Sequence, residues 1–317
     1  MANHTLPGVV LGIVVLLLAA SCTTTGGKVN LQTFLGGSDG LVISFTKDSP
    51  PTEVFDGGGF PFSVEVKLEN KGETLVPKDL VKVSITGIRA QEFNMNPNAL
   101  IKTASDDAIE RIVDSTGKVN EPAPIFITFD NLNHVSFITG NSLQYPIRAV
   151  VCYYYATKAA SSLCVRKNLA NPETGGLCEI DSSRPLSVSG APMQVETFKE
   201  FKRGKDSVGF SFDIVGKGSS TGKSYAKASG CEGDRATQDR VFVKVTTDVP
   251  GLSCVGLSAS REGAVEGTMQ VYENTRTISC TQTLPSTGDF EMPVTVELQY
   301  DYQDYVETTL TVKHTVD

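Results

Sequence analysis

The feature that most restricts this chain is a module that occurs twice. YPIRAVVCYYYATKAASSLCV, from Tyr145 to Val165, aligns without gaps on MPVTVELQYDYQDYVETTLTV, from Met292 to Val312, at an offset of 147. Pro146 meets Pro293, Tyr153 meets Tyr300, Tyr155 meets Tyr302, Leu163 meets Leu310 and Val165 meets Val312. Upstream, FSVEVKLENKG from Phe62 aligns with VGFSFDIVGKG from Val208 at an offset of 146, so that Lys71-Gly72 meets Lys217-Gly218. VKVSIT from Val81 matches VFVKVT from Val241 at an offset of 160; the second copy carries about 14 extra residues before that strand, Cys231 among them. Self-similarity of this kind means one structural unit used twice.

Each matched block alternates apolar and polar residues with period two, which marks a half-buried strand. In FSVEVKL, Phe62, Val64, Val66 and Leu68 share one face, and Ser63, Glu65 and Lys67 share the other. A slip of one residue would drive the charges inward, so the register is strongly specified. Leu41 to Thr46, Ile125 to Phe129, Met193 to Thr197 and Thr268 to Tyr272 read as further strands. Asp48-Ser49-Pro50-Pro51, Asp56-Gly57-Gly58-Gly59 and Val249-Pro250-Gly251 read as turns between strands. DDAIERIV, from Asp106 to Val113, breaks the pattern: Ser105 is a suitable N-cap, Ile109, Ile112 and Val113 share a helical face, and a short helix is expected. Many short strands without alternating helices predict an all-β fold of two tandem Ig-like β-sandwich domains, at residues 41–166 and 191–317, joined by a cysteine-containing connector at 167–190.

Charge is distributed unevenly. Of 28 Lys and Arg and 36 Asp and Glu, which leave a net charge of −8, none precedes Lys28. An acidic balance disfavours a nucleic-acid partner, which needs a basic face, and suggests a basic or cation-bridged one. The run Leu6 to Ala20, LPGVVLGIVVLLLAA, would rise about 22 Å as a helix, short of a hydrocarbon core near 30 Å. It fits a secretory h-region better than a membrane span, although Met1 to Thr5 contain no Lys or Arg. Leu-Ala-Ala-Ser-Cys resembles the lipobox of prokaryotic lipoproteins. The resemblance implies cleavage after Ser21 and a thioether lipid on Cys22, with residues 1–21 as signal peptide. The Thr/Gly/Ser-rich stretch 22–40 is then expected to be a flexible tether, and the lipid on Cys22 would place the body on the extracellular face of the cell membrane.

Six further cysteines, Cys152, Cys164, Cys178, Cys231, Cys254 and Cys280, read as up to three disulfides behind an export signal. Cys254 and Cys280 lie within one copy and are paired here. Cys164 with Cys178 closes a short loop and leaves Cys152 for Cys231; Cys152 with Cys164 and Cys178 with Cys231 is the alternative. No Cys-x-x-Cys occurs and the chain has three His, so neither a metal nor a cofactor is expected.

The strand ending in Glu69-Asn70-Lys71-Gly72 resembles CARDB-type, adhesion-related Ig-like domains. The arrangement as a whole is similar to lipobox-bearing surface proteins of small symbiotic, DPANN-type archaea: SPPTEVFDGG, VEVKLENKGE, the CYYY strand, the six cysteines and the closing ELQYDY. The resemblance implies a fold and a location and carries no activity.

Few residues invite chemistry. Tyr153, Tyr155, Tyr300 and Tyr302 alternate with the core-facing set and read as core, whereas Tyr154 points the other way, beside Cys152, and Asp301 replaces it in the second copy. His134, with Asp130 near it, is the one candidate for a hydrolase base, but no G-x-S-x-G accompanies it and a solvated loop histidine is expected. Asp106-Asp107, Glu53/Asp56 and Glu232/Asp234 read as charged turns, without the spacing of a calcium loop. GKGSSTGKS, from Gly216 to Ser224, lacks the spacing of a phosphate loop. With no catalytic constellation, the expected function is non-enzymatic: a lipid-anchored surface protein for adhesion or envelope scaffolding, with a protein or envelope-glycan partner. The alternative is an accessory or substrate-binding subunit of an extracellular enzyme or transporter complex, which a polar-lined pocket at the domain junction would favour.

Overall fold

A computed structural model describes residues 29–167, 169, 177–233, 235–284 and 288–315. Cys22, the expected signal segment and Asp234 lie outside the described residues. The fold is all-β; among the described residues the only helices are two single 3₁₀ turns, Lys78–Leu80 and Pro97–Leu100.

Two strands of 24 residues, Ser142–Val165 and Phe290–Lys313, run antiparallel and pair along their whole length. At about 3.3 Å per residue they form a spine about 75 Å long. These are the strands of the 147-residue repeat, and Tyr154 pairs with Asp301, its own counterpart in the other copy. A pseudo-twofold axis therefore passes between these two residues. The outer edges follow the same symmetry. Val81–Thr86 adds to the first long strand with Lys82 opposite Cys152, and Arg240–Thr246 adds to the second with Phe242 opposite Gln299. The result is one ten-stranded sheet shared by both copies.

Each copy lays a smaller sheet over its half of the shared one. The first consists of Leu41–Phe45, Phe62–Asn70 and Ile125–Leu132; the second of Met193–Lys202, Ser207–Gly216, Thr275–Thr283 and Leu252–Cys254. The alternation read from FSVEVKL appears as strictly alternating burial along Phe62–Asn70. In the second copy Phe198 stacks on both Phe210 and Phe212, with centroids 5.4 and 6.3 Å apart. Full burial of such side chains contributes about 1.5–3 kcal/mol each. A single core runs from Leu41 through the spine to Val312, so the two sandwiches share their packing as well as a sheet.

Three expectations are revised by this arrangement. The copies are joined side by side through the spine, where a separating connector was expected at 167–190; part of that segment, Ser187–Val188, pairs with Ala159 and Ala160 of the first long strand. The helix expected at Asp106–Val113 is absent. Ala108 exchanges both backbone hydrogen bonds with Val76, at 2.9 and 3.0 Å, and its carbonyl also accepts the Asn70 amide. Ile112–Val113 then pairs with Val119–Asn120 in an exposed hairpin. Tertiary backbone partners outcompete the local helical pattern here.

The stretch expected as a flexible tether is bound from Val29 onward. Val29 N–H donates to Glu291 Oε2 at 3.0 Å, near one end of the spine. Phe34 N–H reaches Ser187, and Leu35 and Gly36 N–H both reach the Glu73 carboxylate at 2.9 Å. Glu73 also accepts Gly190 N–H at 2.7 Å, so one side chain ties two passing segments together through three N–H groups.

Candidate functional site

Tyr153, Tyr155, Tyr300 and Tyr302 meet on the inner face of the spine at the pseudo-twofold axis, with centroids 5.8–6.5 Å apart around the ring of four. All are buried, and burial pushes the phenol of each above its ordinary range. They are neutral hydroxyls at the seam between the two small sheets.

The glycines shared by the repeat follow from this cluster. A Cβ on Gly72 would lie 1.9 Å from the Tyr155 hydroxyl, and one on Gly218 would lie 2.2 Å from the Tyr302 hydroxyl. Gly222 is still closer to Tyr302, at 1.8 Å. Lys71-Gly72 and Lys217-Gly218 therefore recur because each copy must admit a phenol where only hydrogen fits.

Hydrogen bonding breaks the symmetry. Tyr153 accepts Leu41 N–H at 3.2 Å, and Tyr300 accepts Met193 N–H at 3.1 Å and bonds Thr157. Tyr155 donates to Asn70 Oδ1 at 3.2 Å. Asn70 is replaced by Gly216 in the second copy, and the Tyr302 hydroxyl has no hydrogen-bond partner among the described residues, although the residue is only 4% exposed. It lines a cavity of about 260 Å³ between the copies, with Tyr153, Asp39, Asp304, Leu41, Ile43 and Val306 in its wall. Asp304 uses one oxygen, Oδ1, for Ser219, Thr221 and its neighbour Tyr305. The expected Gly/Ser turn from Gly216 to Ser224 is thus held against the cavity mouth.

On the opposite face, Tyr154 is half-buried and Asp301 is 4% exposed. Asp301 accepts Ala228 N–H, Ser229 Oγ–H and Gly230 N–H at 3.2, 3.3 and 2.7 Å, which fixes the loop carrying Cys231. Cys231 is bonded to Cys152, so the residues inserted in the second copy staple it to the first copy's long strand. The other disulfides join Cys164 to Cys178 and Cys254 to Cys280. Three disulfides are compatible with an extracellular protein. Beside the Cys164 bridge, Glu200 is buried and accepts Cys164 N–H on both oxygens at 2.9 Å, with Arg184 at 3.6 Å. Burial nevertheless outweighs both and pushes its carboxyl up to about 7.

His134 is buried at 1% exposure, contrary to the expected solvated loop position. Its Nε2 lies 3.0 Å from the Tyr145 hydroxyl, which donates to Glu92 Oε2 at 3.0 Å, while Phe93 packs edge-on at 5.0 Å. Because the phenol's proton goes to Glu92, His134 must donate from Nε2; its Nδ1 is buried with no hydrogen-bond partner among the described residues. Burial and Glu92 push Tyr145 up to about 12. Asp130 instead accepts Ser63, so the sequence pairing of His134 with Asp130 does not form a site.

The acidic pairs disperse. Asp107 accepts Lys78 N–H, Asp106 accepts Ser105, Glu53 pairs with Lys313, and Glu232 pairs with Lys82. Asp56 is buried and accepts His314 Nδ1 at 2.7 Å, Thr315 N–H at 2.8 Å and Ile138 N–H at 3.0 Å. Burial alone would raise its carboxyl, but these bonds prevail and hold it far below the usual range. Among the described residues no three His, Cys, Asp or Glu gather as a metal site. Above Asp56, at the spine's other end, Phe55, Phe60 and Phe137 border a second hollow, and Phe137 is 73% exposed. Sequence reasoning passed over this cluster because Phe55 and Phe60 flank a glycine turn and Phe137 comes from a segment more than seventy residues further on.

The architecture defines an all-β, sandwich-type protein built on a duplicated unit. No protein-family model matches the chain, and no curated protein does. Among solved structures it is similar to a secreted serine protease, VesC from Vibrio cholerae, at 10% identity and a TM-score of 0.17, over 82% of this chain and 50% of that one. The chain spans about half the length of that protein, and a likeness this slight carries no argument about fold or function.

Proposed function

We propose that this is a non-enzymatic, lipid-anchored surface protein that makes adhesive or scaffolding contacts at the outer face of the cell membrane. The observation that carries the reading is polarity along the spine. Val29 is held at Glu291, near one end, and the exposed phenylalanines surround Thr315, at the other, about 70 Å away. Six residues separate Cys22 from Val29, a reach of at most about 25 Å over seven Cα steps. A lipid on Cys22 would hold the Glu291 end near the bilayer and point Phe55, Phe60 and Phe137 outward. Exposed aromatic clusters supply much of the energy of protein and glycan contacts. The three disulfides suit such a location.

The test has two parts. Mass spectrometry of the mature protein should find a lipidated Cys22 at the N-terminus; a free Cys22, or a chain beginning at Met1, overturns the anchor. Beads carrying the protein should adhere to isolated envelopes, and adhesion should fall at least several-fold for F60S/F137S. Equal adhesion by the variant overturns the contact surface.

The cavity at the pseudo-twofold axis favours a second reading, a ligand-binding subunit of an envelope complex, because it lies between the copies and its polar groups converge.

A further inference from the structure

The cavity between the copies contains a hydroxyl that one copy satisfies and the other leaves open. Tyr155 has Asn70; its counterpart Tyr302, whose oxygen lies against Gly218 and Gly222, has no hydrogen-bond partner among the described residues. Tyr302 lines the cavity, so its hydroxyl is left for whatever enters there, and an occupant that bonds it is favoured over one that cannot. The occupant's charge follows from the wall. Among the described residues, Asp39 and Asp304 are its only ionisable side chains apart from the tyrosines, and no Lys, Arg or His lines it. Asp39 is exposed at the rim, and the bonds to Asp304 from the described residues all fall on Oδ1, leaving Oδ2 to the cavity. Asp39, Asp304 and Tyr302 all line this one cavity. Leu41, Ile43 and Val306 make the remaining wall apolar, and Tyr153 and Tyr302 offer ring surface.

We propose that this cavity binds a primary alkylammonium group. An ammonium carries three donors and no acceptor; Asp39, Asp304 Oδ2 and the Tyr302 oxygen are three acceptors. Its alkyl chain lies along Leu41, Ile43 and Val306, with the tyrosine rings attracting the charge. The apolar wall and the lack of a third carboxylate favour an organic cation over a metal ion. At about 260 Å³ the cavity is below the usual range of roughly 300–1,000 Å³, which limits the ligand to a few carbons beyond the nitrogen. The group can arrive as a free amine or as a lysine side chain of a partner protein. This inference rests on the second reading above only in taking the cavity to be a ligand site.

The experiment is a titration of the full chain, carrying ¹³C-labelled tyrosine, followed by NMR at constant ionic strength. The probes are n-butylammonium, N-acetyl-lysine methylamide, n-butanol and butyrate. Saturable shifts of the Tyr153 and Tyr302 resonances are expected with the first two alone. The tighter of these identifies the source, free amine or partner lysine, and either supports the proposal. Asp39→Asn and Tyr302→Phe should each weaken binding at least tenfold, read at Tyr153. Both remove groups without bonds in the fold, so their melting temperatures should match the wild type. Unchanged affinity in both variants overturns the assignment. Saturation by butanol or butyrate as tight as by the amines overturns the ammonium class and keeps the ligand site; no shift with any probe overturns both.

Discussion

Tyr154 and Asp301 stand opposite each other in the spine and are also each other's counterparts in the repeat, so the axis relating the two copies runs between them. A tyrosine and a carboxylate on one axis mean that the duplication is symmetric in backbone and asymmetric in side chains. The asymmetry has uses on both faces: Asp301 organises the loop of Cys231, and the loss of an Asn70 equivalent frees Tyr302.

Gly72→Ala and Gly218→Ala should each destabilise the protein by about 1–3 kcal/mol or more, because the added methyl overlaps a buried phenol. Denaturant melts check this. Tyr302→Phe should recover part of the Gly218→Ala loss. Tyr155→Phe should recover less for Gly72→Ala, since it also removes the bond to Asn70.

Removing the Cys152–Cys231 bridge by C152S/C231S should cost about 4.5 kcal/mol on the chain-entropy scale, against about 3 kcal/mol for Cys164–Cys178, because the closed loops span 79 and 14 residues. Equilibrium unfolding of the two double variants gives the comparison. Equal losses would show that the cross-copy staple adds nothing beyond local closure.

Much of this was legible in the residues. Alternation in FSVEVKL gave the inward face of Phe62–Asn70, and the repeat gave the equivalence of the two long strands. The helical spacing of Ile109, Ile112 and Val113 misled because the backbone of Ala108 is claimed by Val76, a partner more than thirty residues away. His134 misled because DNLNHVSF is polar in sequence, while its burial depends on Phe93 and Tyr145 from other segments. The shared sheet was hidden for a similar reason: period two shows which face is buried but not whose strand lies alongside. The cavity was hidden too, because Gly218 and Gly222 acquire meaning only once the Tyr302 hydroxyl is seen against them.

Stability should fall as pH rises from about 4.5 to 7. Burial lifts the Glu200 carboxyl to about 7, above its unfolded value, so the native state binds more protons across that window. The contribution is complete below the unfolded pKa and is lost as pH passes through the folded one. Glu200→Gln should flatten this part of the profile of melting temperature against pH; an unchanged slope would remove Glu200 as its source.

Tyr145→Phe should cost about 1–3 kcal/mol by leaving His134 Nε2 and Glu92 without their shared partner. Thermal unfolding measures the loss. A melting temperature within about 0.5 °C of wild type, the shift that a few tenths of a kcal/mol gives a chain of this size, would mean that solvent replaces the phenol.

Glu73→Ala should release residues 34–37 from the body, since Leu35, Gly36 and Gly190 lose a common acceptor. Hydrogen exchange at Leu35 and Gly36 should accelerate by at least tenfold, while exchange in Phe62–Asn70 stays slow.

The full-length pairing of Ser142–Val165 with Phe290–Lys313 also fixes how the molecule carries load. A pull between the Glu291 end and the Phe137 end runs parallel to both strands and perpendicular to the hydrogen bonds between them. Those bonds are strained together, in shear, and cannot open one after another as a zipper does. A body built this way resists tension along its long axis far better than across it.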